Sequence, residues 1–172
     1  MKQVKFGVLL LMICCAFAQA QFLPDNKTLN VQAVQRWMDS NRDLSPIVQL
    51  VDEMYPSDAE VKIFDSLPLA EQDQKINHFL QQKNMFEKAE AIRARHGWQS
   101  VGEYMRLSTR LGNAIAAYFL LGSMENVTPE QKKALRGKAD PAVLAVSSRD
   151  IAFVKANEKL LQEYIKAYSQ GR

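Results

Sequence analysis

Cysteine, histidine, glycine and proline are all scarce in this chain of 172 residues, numbering two, two, seven and six. Both cysteines, Cys14 and Cys15, fall within the first 20 residues, a stretch that has the marks of a secretory leader. Lys2 and Lys5 give it a basic start, and Phe6 to Ala18 is an apolar run. Ala18-Gln19-Ala20 then places small residues at the two positions a signal peptidase reads. Ala16-Phe17-Ala18 is a second cleavage signal, so the mature chain is expected to start at Gln19 or Gln21, with residues 21–172 as one helical domain. Without the leader no cysteine is left, which excludes a disulfide framework, thiol catalysis, a Cys-ligated metal and a lipid attached through a retained cysteine.

Other absences narrow the chemistry further. His78 and His96 are the only histidines, and neither has a second histidine three or four residues away, so no helical zinc pair exists. There is no Gly-x-Ser-x-Gly elbow, phosphate loop or dinucleotide fingerprint. Neither a metal nor a cofactor is expected, and the chain is read as a non-enzyme. One catalytic alternative stays open: Glu103 or Glu125 facing another acid across a cleft, as carbohydrate-cleaving enzymes require. The leader carries two lysines and no acid, so the net charge of +3 falls to +1 on cleavage. A charge that small gives no general attraction to nucleic-acid phosphates. No apolar run reaches the roughly 20 residues of a membrane span. An exported, cysteine-free domain fits a bacterial periplasm or a secreted bacterial protein. The sequons Asn26-Lys27-Thr28 and Asn126-Val127-Thr128 point the other way, toward a eukaryotic secretory route.

What the chain does contain is helix punctuation. Ser45-Pro46, Thr128-Pro129 and Asp140-Pro141 each set a capping side chain before a proline at the first helical position. Ser57 with Glu60, Ser100 with Glu103 and Thr128 with Gln131 have capping-box spacing, and Gly97 and Gly171 are helix-stop residues. No run alternates with period two, and no hairpin dipeptide occurs. The expected fold is all-α, a single globular bundle of about seven or eight helices. The spans are 30–41, 46–55, 58–66, 69–82, 84–96, 101–124, 129–137 and 141–169, the last broken near Ser147-Ser148. Helix 101–124 carries a polar strip of Glu103, Arg106, Arg110 and Asn113, but Ala114 to Leu121 is apolar all round, so its second half is expected to be the buried centre. Ser108, Gly112 and Ala116, spaced by four, mark an edge where a neighbour can come close. In the last helix, Ile151, Phe153, Val154, Leu160, Leu161, Tyr164, Ile165 and Tyr168 share one half of the wheel. Lys155, Lys159 and Lys166 form a basic face on the other half.

Charge is unevenly distributed. Residues 52–90 hold nine acids and four bases, a balance of −5, whereas residues 127–172 hold nine bases and five acids, a balance of +4. Two readings follow: the halves attract one another within the domain, or the basic face adheres to an anionic lipid or polymer. The most distinctive stretch is residues 88–118, where a helix ending at His96-Gly97 is followed by Trp98 and a capped helix start at Ser100. Arg93, Arg95, His96, Arg106 and Arg110 gather around this corner, with Trp98 and Tyr104 as an apolar wall. A helix N-terminus attracts anions, so the corner is a candidate site for a small anionic ligand, an unidentified protein being the other partner class. The structural alternative is a corner in which Trp98 plugs the core and Glu103 pairs with Arg106.

Two resemblances add to this reading. The run Arg95-His96-Gly97-Trp98, Ser100, Glu103-Tyr104 and Ala116-Ala117-Tyr118 resembles small exported helical proteins of proteobacteria, some described as quorum-sensing-regulated virulence factors. That likeness covers about 30 residues and implies an exported, all-helical, non-catalytic protein; it transfers no site residues. Val127-Thr128-Pro129-Glu130-Gln131 is similar to the Leu-Thr-x-x-Gln motif of periplasmic chaperones of the Spy and CpxP type. The departures are Val in place of Leu and a single clear copy. The likeness implies a chaperone that holds unfolded clients.

Overall fold

A computed structural model describes residues 28–55 and 57–169. The leader, Asn26 and Lys27 of the first sequon, Gly171 and the Tyr168 side chain lie outside the described residues and side chains. Most helix starts are explained by their own sequence. The Asn30 carboxamide accepts the Ala33 amide at 2.8 Å and opens α1 (Val31–Val51). Ser57 caps α2 (Asp58–Asp65), and Leu69 opens α3 (Leu69–Gln82) directly after Pro68. Helix α4 (Phe86–Arg95) leads through the Gly97 corner to Ser100, which caps α5 (Val101–Ser123). Thr128 and Gln131 form a reciprocal capping box at α6 (Pro129–Lys138), Asp140 caps α7 (Pro141–Leu144) and Ser147 caps α8 (Ser148–Ala156). Helix α9 (Gln162–Ser169) is the last, and the described residues contain no strand. The fold is all-α, and none of its described helices is long and apolar enough to cross a membrane.

One helix end departs from expectation. The sequence suggests two helices, 30–41 and 46–55, with Ser45 capping the second; the structure has the single helix α1 with Pro46 inside it. The proline ring costs roughly 3 kcal/mol in a helix interior. Against that, Ala33, Val34, Trp37, Ser40, Leu44, Ile47 and Val51 form one buried face at helical spacing that continues past the proline. Burying Ile47 and Val51 contributes roughly 1.5–3 kcal/mol each, enough to carry the helix through. A short 3-10 turn, Asp52–Met54, follows α1.

Helix α5 is the hub, in contact with α1, α3, α4, α7, α8 and α9. Its buried residues are Val101 to Tyr104 and then Leu111 and Ala114 to Ala117, whereas Leu121 is 45% exposed. The expected buried centre thus holds for Ala114 to Ala117, the first turn is buried as well, and the all-round burial expected as far as Leu121 is not reached. The close approach also lies elsewhere than expected. A side chain at Gly112 would meet nothing within 4 Å, but a Cβ at Gly102 would lie 2.1 Å from Asp73 Oδ1 of α3. Trp98 and Tyr104 meet edge to face at 5.4 Å, and Trp37 joins this core along with Leu44, Ile76, Leu80, Val154 and Leu161.

The expected terminal helix 141–169 is interrupted twice, after α7 and again at residues 157–161. At the second break the Asn157 side chain donates to the Phe153 carbonyl at 2.8 Å, competing with the helical ladder. The sidedness survives both breaks: Val154 and Leu161 are buried, and Lys155, Lys159 and Lys166 are exposed.

Replacing Pro46 with Ala restores a donor for the Arg42 carbonyl on an exposed face of α1. It is expected to raise stability by about 2 kcal/mol, measured as a higher midpoint in thermal unfolding followed by circular dichroism. An unchanged or lower midpoint would mean that the helix needs the proline's geometry.

Candidate functional site

The corner between α4 and α5 is built from three local devices and one remote residue. Gly97 has φ +72°, and the Trp98 and Gly97 amides donate back to the Arg93 and Ala94 carbonyls, a Schellman closure that glycine permits without strain. Ser100 Oγ accepts the Glu103 amide at 2.9 Å, and Glu103 Oε2 accepts the Gln99 amide at 2.7 Å. The remote residue is Arg36 of α1. Its guanidinium donates to the Gly97 carbonyl at 2.8 Å and to Glu103 Oε1 at 3.2 Å, and lies over the Trp98 ring at 3.9 Å. Trp98 is 2% exposed and donates its indole N–H to Ser40 Oγ.

These contacts decide the character of the corner. The place expected for a bound anion is filled by the chain's own Glu103 carboxylate, which pairs with Arg36 and not with Arg106 as the structural alternative supposed. Arg93 pairs with Glu90 and donates to the Trp98 carbonyl; His96 Nε2 lies 3.0 Å from Asp43, which Arg95 also approaches at 3.8 Å. The hydrogen bond to His96, helped by Arg42 and Arg95 against a cost of burial, holds the Asp43 carboxyl below the ordinary range. The Tyr104 hydroxyl donates to Asn41 at 2.7 Å, and burial, with Tyr164 nearby, pushes it up to about 12. Glu103 thus faces a guanidinium and not a second acid. Glu125 lies exposed beyond the other end of α5, roughly 30 Å away by helical rise.

Of the eight residues expected at the corner, six are there: Arg93, Arg95, His96, Trp98, Ser100 and Tyr104. Arg106 and Arg110 lie farther along α5 and line a different feature, a cleft of about 640 Å³ between α3, α5 and the α7–α8 connection. Its apolar lining comes from Phe64, Leu69, Ile76, Met105, Ala142, Ala145 and Val146, and its polar strip from Arg106, Thr109, Arg110 and Asn113. Arg106 Nη1 donates to Asp73 Oδ1 at 2.8 Å. Arg110 donates through Nε and Nη2 to Asp150 Oδ2 at 2.9 and 2.8 Å.

Asp150, 3% exposed, also accepts the Leu29 amide at 3.1 Å, tying the chain before α1 to α8. Burial pushes its carboxyl up, but the Leu29 amide and then Arg110 outweigh this and hold it below the ordinary carboxylate range. With Asp65 on the rim as well, the cleft has no surplus positive charge. No group of three or more metal-ligating side chains occurs among the described residues.

Sequence reasoning missed Arg36, Ser40, Asn41, Asp43, Asp73 and Asp150. Each meets its partner across 33 to 67 residues of chain, and no local pattern announces such a pairing. No protein-family model matches the chain, and no curated protein or solved structure matches it significantly.

Glu103→Ala leaves Arg36 without its carboxylate and is expected to cost about 3 kcal/mol, read from chemical denaturation. A loss below about 0.5 kcal/mol, the level of an ordinary surface change, would show that the corner does not depend on this pair. Asp150 is ionised more readily in the folded chain than in the unfolded one. Its contribution to stability is therefore complete above the ordinary carboxylate range and disappears as the pH falls through and below that range. Asp150→Asn is expected to flatten the acid limb of a stability-against-pH curve, and an unchanged limb would assign acid sensitivity to other groups.

Proposed function

We propose that the protein is an exported, non-catalytic binding protein of a bacterial envelope, and that its ligand is an uncharged, largely apolar group held in the cleft along α5. The observation that carries this is the pairing of the cleft's arginines. Arg106 is matched by Asp73 and Arg110 by Asp150, so the cleft offers an apolar floor without a free positive field. Its volume lies within the range of small-molecule sites. Thr109 and Asn113 on the wall are placed to orient a ligand by hydrogen bonds. An anionic ligand, expected from the sequence at the Gly97 corner, would in this cleft have to displace Asp73 or Asp150 from its arginine.

A carboxylate held ionised, as Asp150 is, does not suit general-acid chemistry at neutral pH. This favours binding over glycoside cleavage. Export rests on the leader, and the likeness to small exported helical proteins agrees with it. The Thr-Pro-Glu-Gln run that suggested a chaperone is engaged in capping: the Thr128 amide donates to Gln131 Oε1 at 2.9 Å and the Gln131 amide to Thr128 Oγ1 at 3.3 Å. Those residues therefore need no client to explain them.

Titration with the neutral, solvatochromic dye Nile red is expected to give a saturable rise in emission. Ala145→Trp, which fills the cleft from its exposed edge, should weaken binding at least about tenfold, equivalent to about 1.4 kcal/mol. Arg95→Ala at the corner should leave it unchanged. Equal binding by the wild type and the cleft-filled variant would remove the proposal.

A further inference from the structure

Two helices lie at the periphery of the bundle, and their charges are opposite. Neither α2 nor α6 makes an extensive contact with another helix. Helix α2 has Asp58, Glu60 and Asp65 against Lys62, and α6 has Lys132, Lys133, Arg136 and Lys138 against Glu130. Helix α6 buries none of its residues, and its four cations form no ion pair among the described residues. No ion pair joins an acid of residues 52–90 to a base of residues 127–169 either. Any attraction between the two charged regions within the chain therefore acts across solvent and leaves the cations of α6 available at contact distance.

Each helix also presents apolar surface beside its charges. On α2, Ile63 is 65% exposed and Val61 40% exposed, while Phe64 turns inward to stack on Tyr55 at 4.9 Å. On α6, Val127, Ala134 and Leu135 line a shallow groove of about 280 Å³ whose edge is Lys138. An exposed isoleucine next to acids and an apolar groove next to lysines are complementary in polarity and in sign.

We propose that α2 of one copy docks on α6 of a second copy, Ile63 entering the Val127–Leu135 groove while Glu60 and Asp65 face Lys132, Lys133 and Lys138. The contact joins two different patches, so it closes when made twice about a two-fold axis and propagates when made once. Two helices this short bury less than a standard stable interface, so the association is weak, reversible and dependent on concentration. Exposed charges contribute to it, and salt screens them.

Sedimentation equilibrium of the purified protein tests this. At about 0.01 M salt the mean mass is expected to rise with concentration, and at about 1 M salt, where screening acts within a few ångströms, to fall toward the monomer. Ile63→Ser, at a position that makes little contact within its own chain, should weaken association roughly ten- to hundredfold with an unchanged circular dichroism spectrum. The triple variant K132E/K133E/K138E should be monomeric alone, as should E60K/D65K, and an equimolar mixture of the two should associate again. Recovery in the mixture is a result that a folding defect could not produce. A monomer at every concentration in low salt overturns the proposal, as does association that is indifferent to Ile63→Ser. If α6 instead drives salt-sensitive binding to vesicles of anionic phospholipid while the protein stays monomeric, the surface serves a membrane and the proposal falls.

Discussion

The Glu103 carboxylate sits almost out of reach of water at the first turn of α5, and a charge in such a place is tolerable only when its partners are in position. Removing a carboxylate from water costs several kcal/mol, and here Arg36 and the Gln99 amide compensate. The same guanidinium also takes the Gly97 carbonyl and covers Trp98. A single side chain of α1 therefore sets the α4–α5 corner, the indole beneath it and the start of α5 together. Because α5 touches six other helices, its direction out of that corner determines which of its faces each neighbour meets.

The same device recurs along α5. Arg106 is answered by Asp73 of α3, and Arg110 by Asp150 of α8. Each pair joins α5 to a different helix, and each is part-buried, where mismatched charges are expensive and alternative registers are penalised. The Asp73 pair comes so close over the backbone of α5 that any side chain at position 102 would have to displace it. The polar strip of α5 is accordingly a set of seams between helices. That is why the cleft beside it combines arginines with an electrically balanced, mainly apolar interior.

Helix ends were legible in the sequence wherever the signal lay within four residues. Ser57, Ser100, Thr128 and Asp140 cap and Gly97 closes a helix where their spacing suggested, though only Thr128 forms the reciprocal box, Glu103 accepting from the Gln99 amide and Glu60 from the Ser57 hydroxyl. The exceptions are instructive. Ser45-Pro46 has the chemistry of a helix start, but the burial of Ile47 and Val51 on the face already begun by Val34 and Trp37 carries α1 through it. Ser108, Gly112 and Ala116 have the spacing of a close approach, but Gly112 faces open space because no neighbour was placed there. At the corner, Arg93, His96, Trp98 and Tyr104 were legible as a cluster because they are near in sequence. Their partners Ser40, Asn41 and Asp43 were not, since 53 to 63 residues separate them from the groups they bind.

Local stereochemistry and composition thus settle the all-α class, most of the caps and the apolar faces, because capping, helical periodicity and proline geometry act over one or two turns of chain. They do not settle which of 22 cations meets which of 19 acids, since in sequence those combinations are nearly degenerate. Packing resolves the degeneracy: only when α1, α3 and α8 lie against α5 do Arg36, Asp73 and Asp150 come within hydrogen-bonding distance of Glu103, Arg106 and Arg110. The cost of burying a charge without its partner then selects that arrangement, and with it the separation of a closed corner from an open cleft.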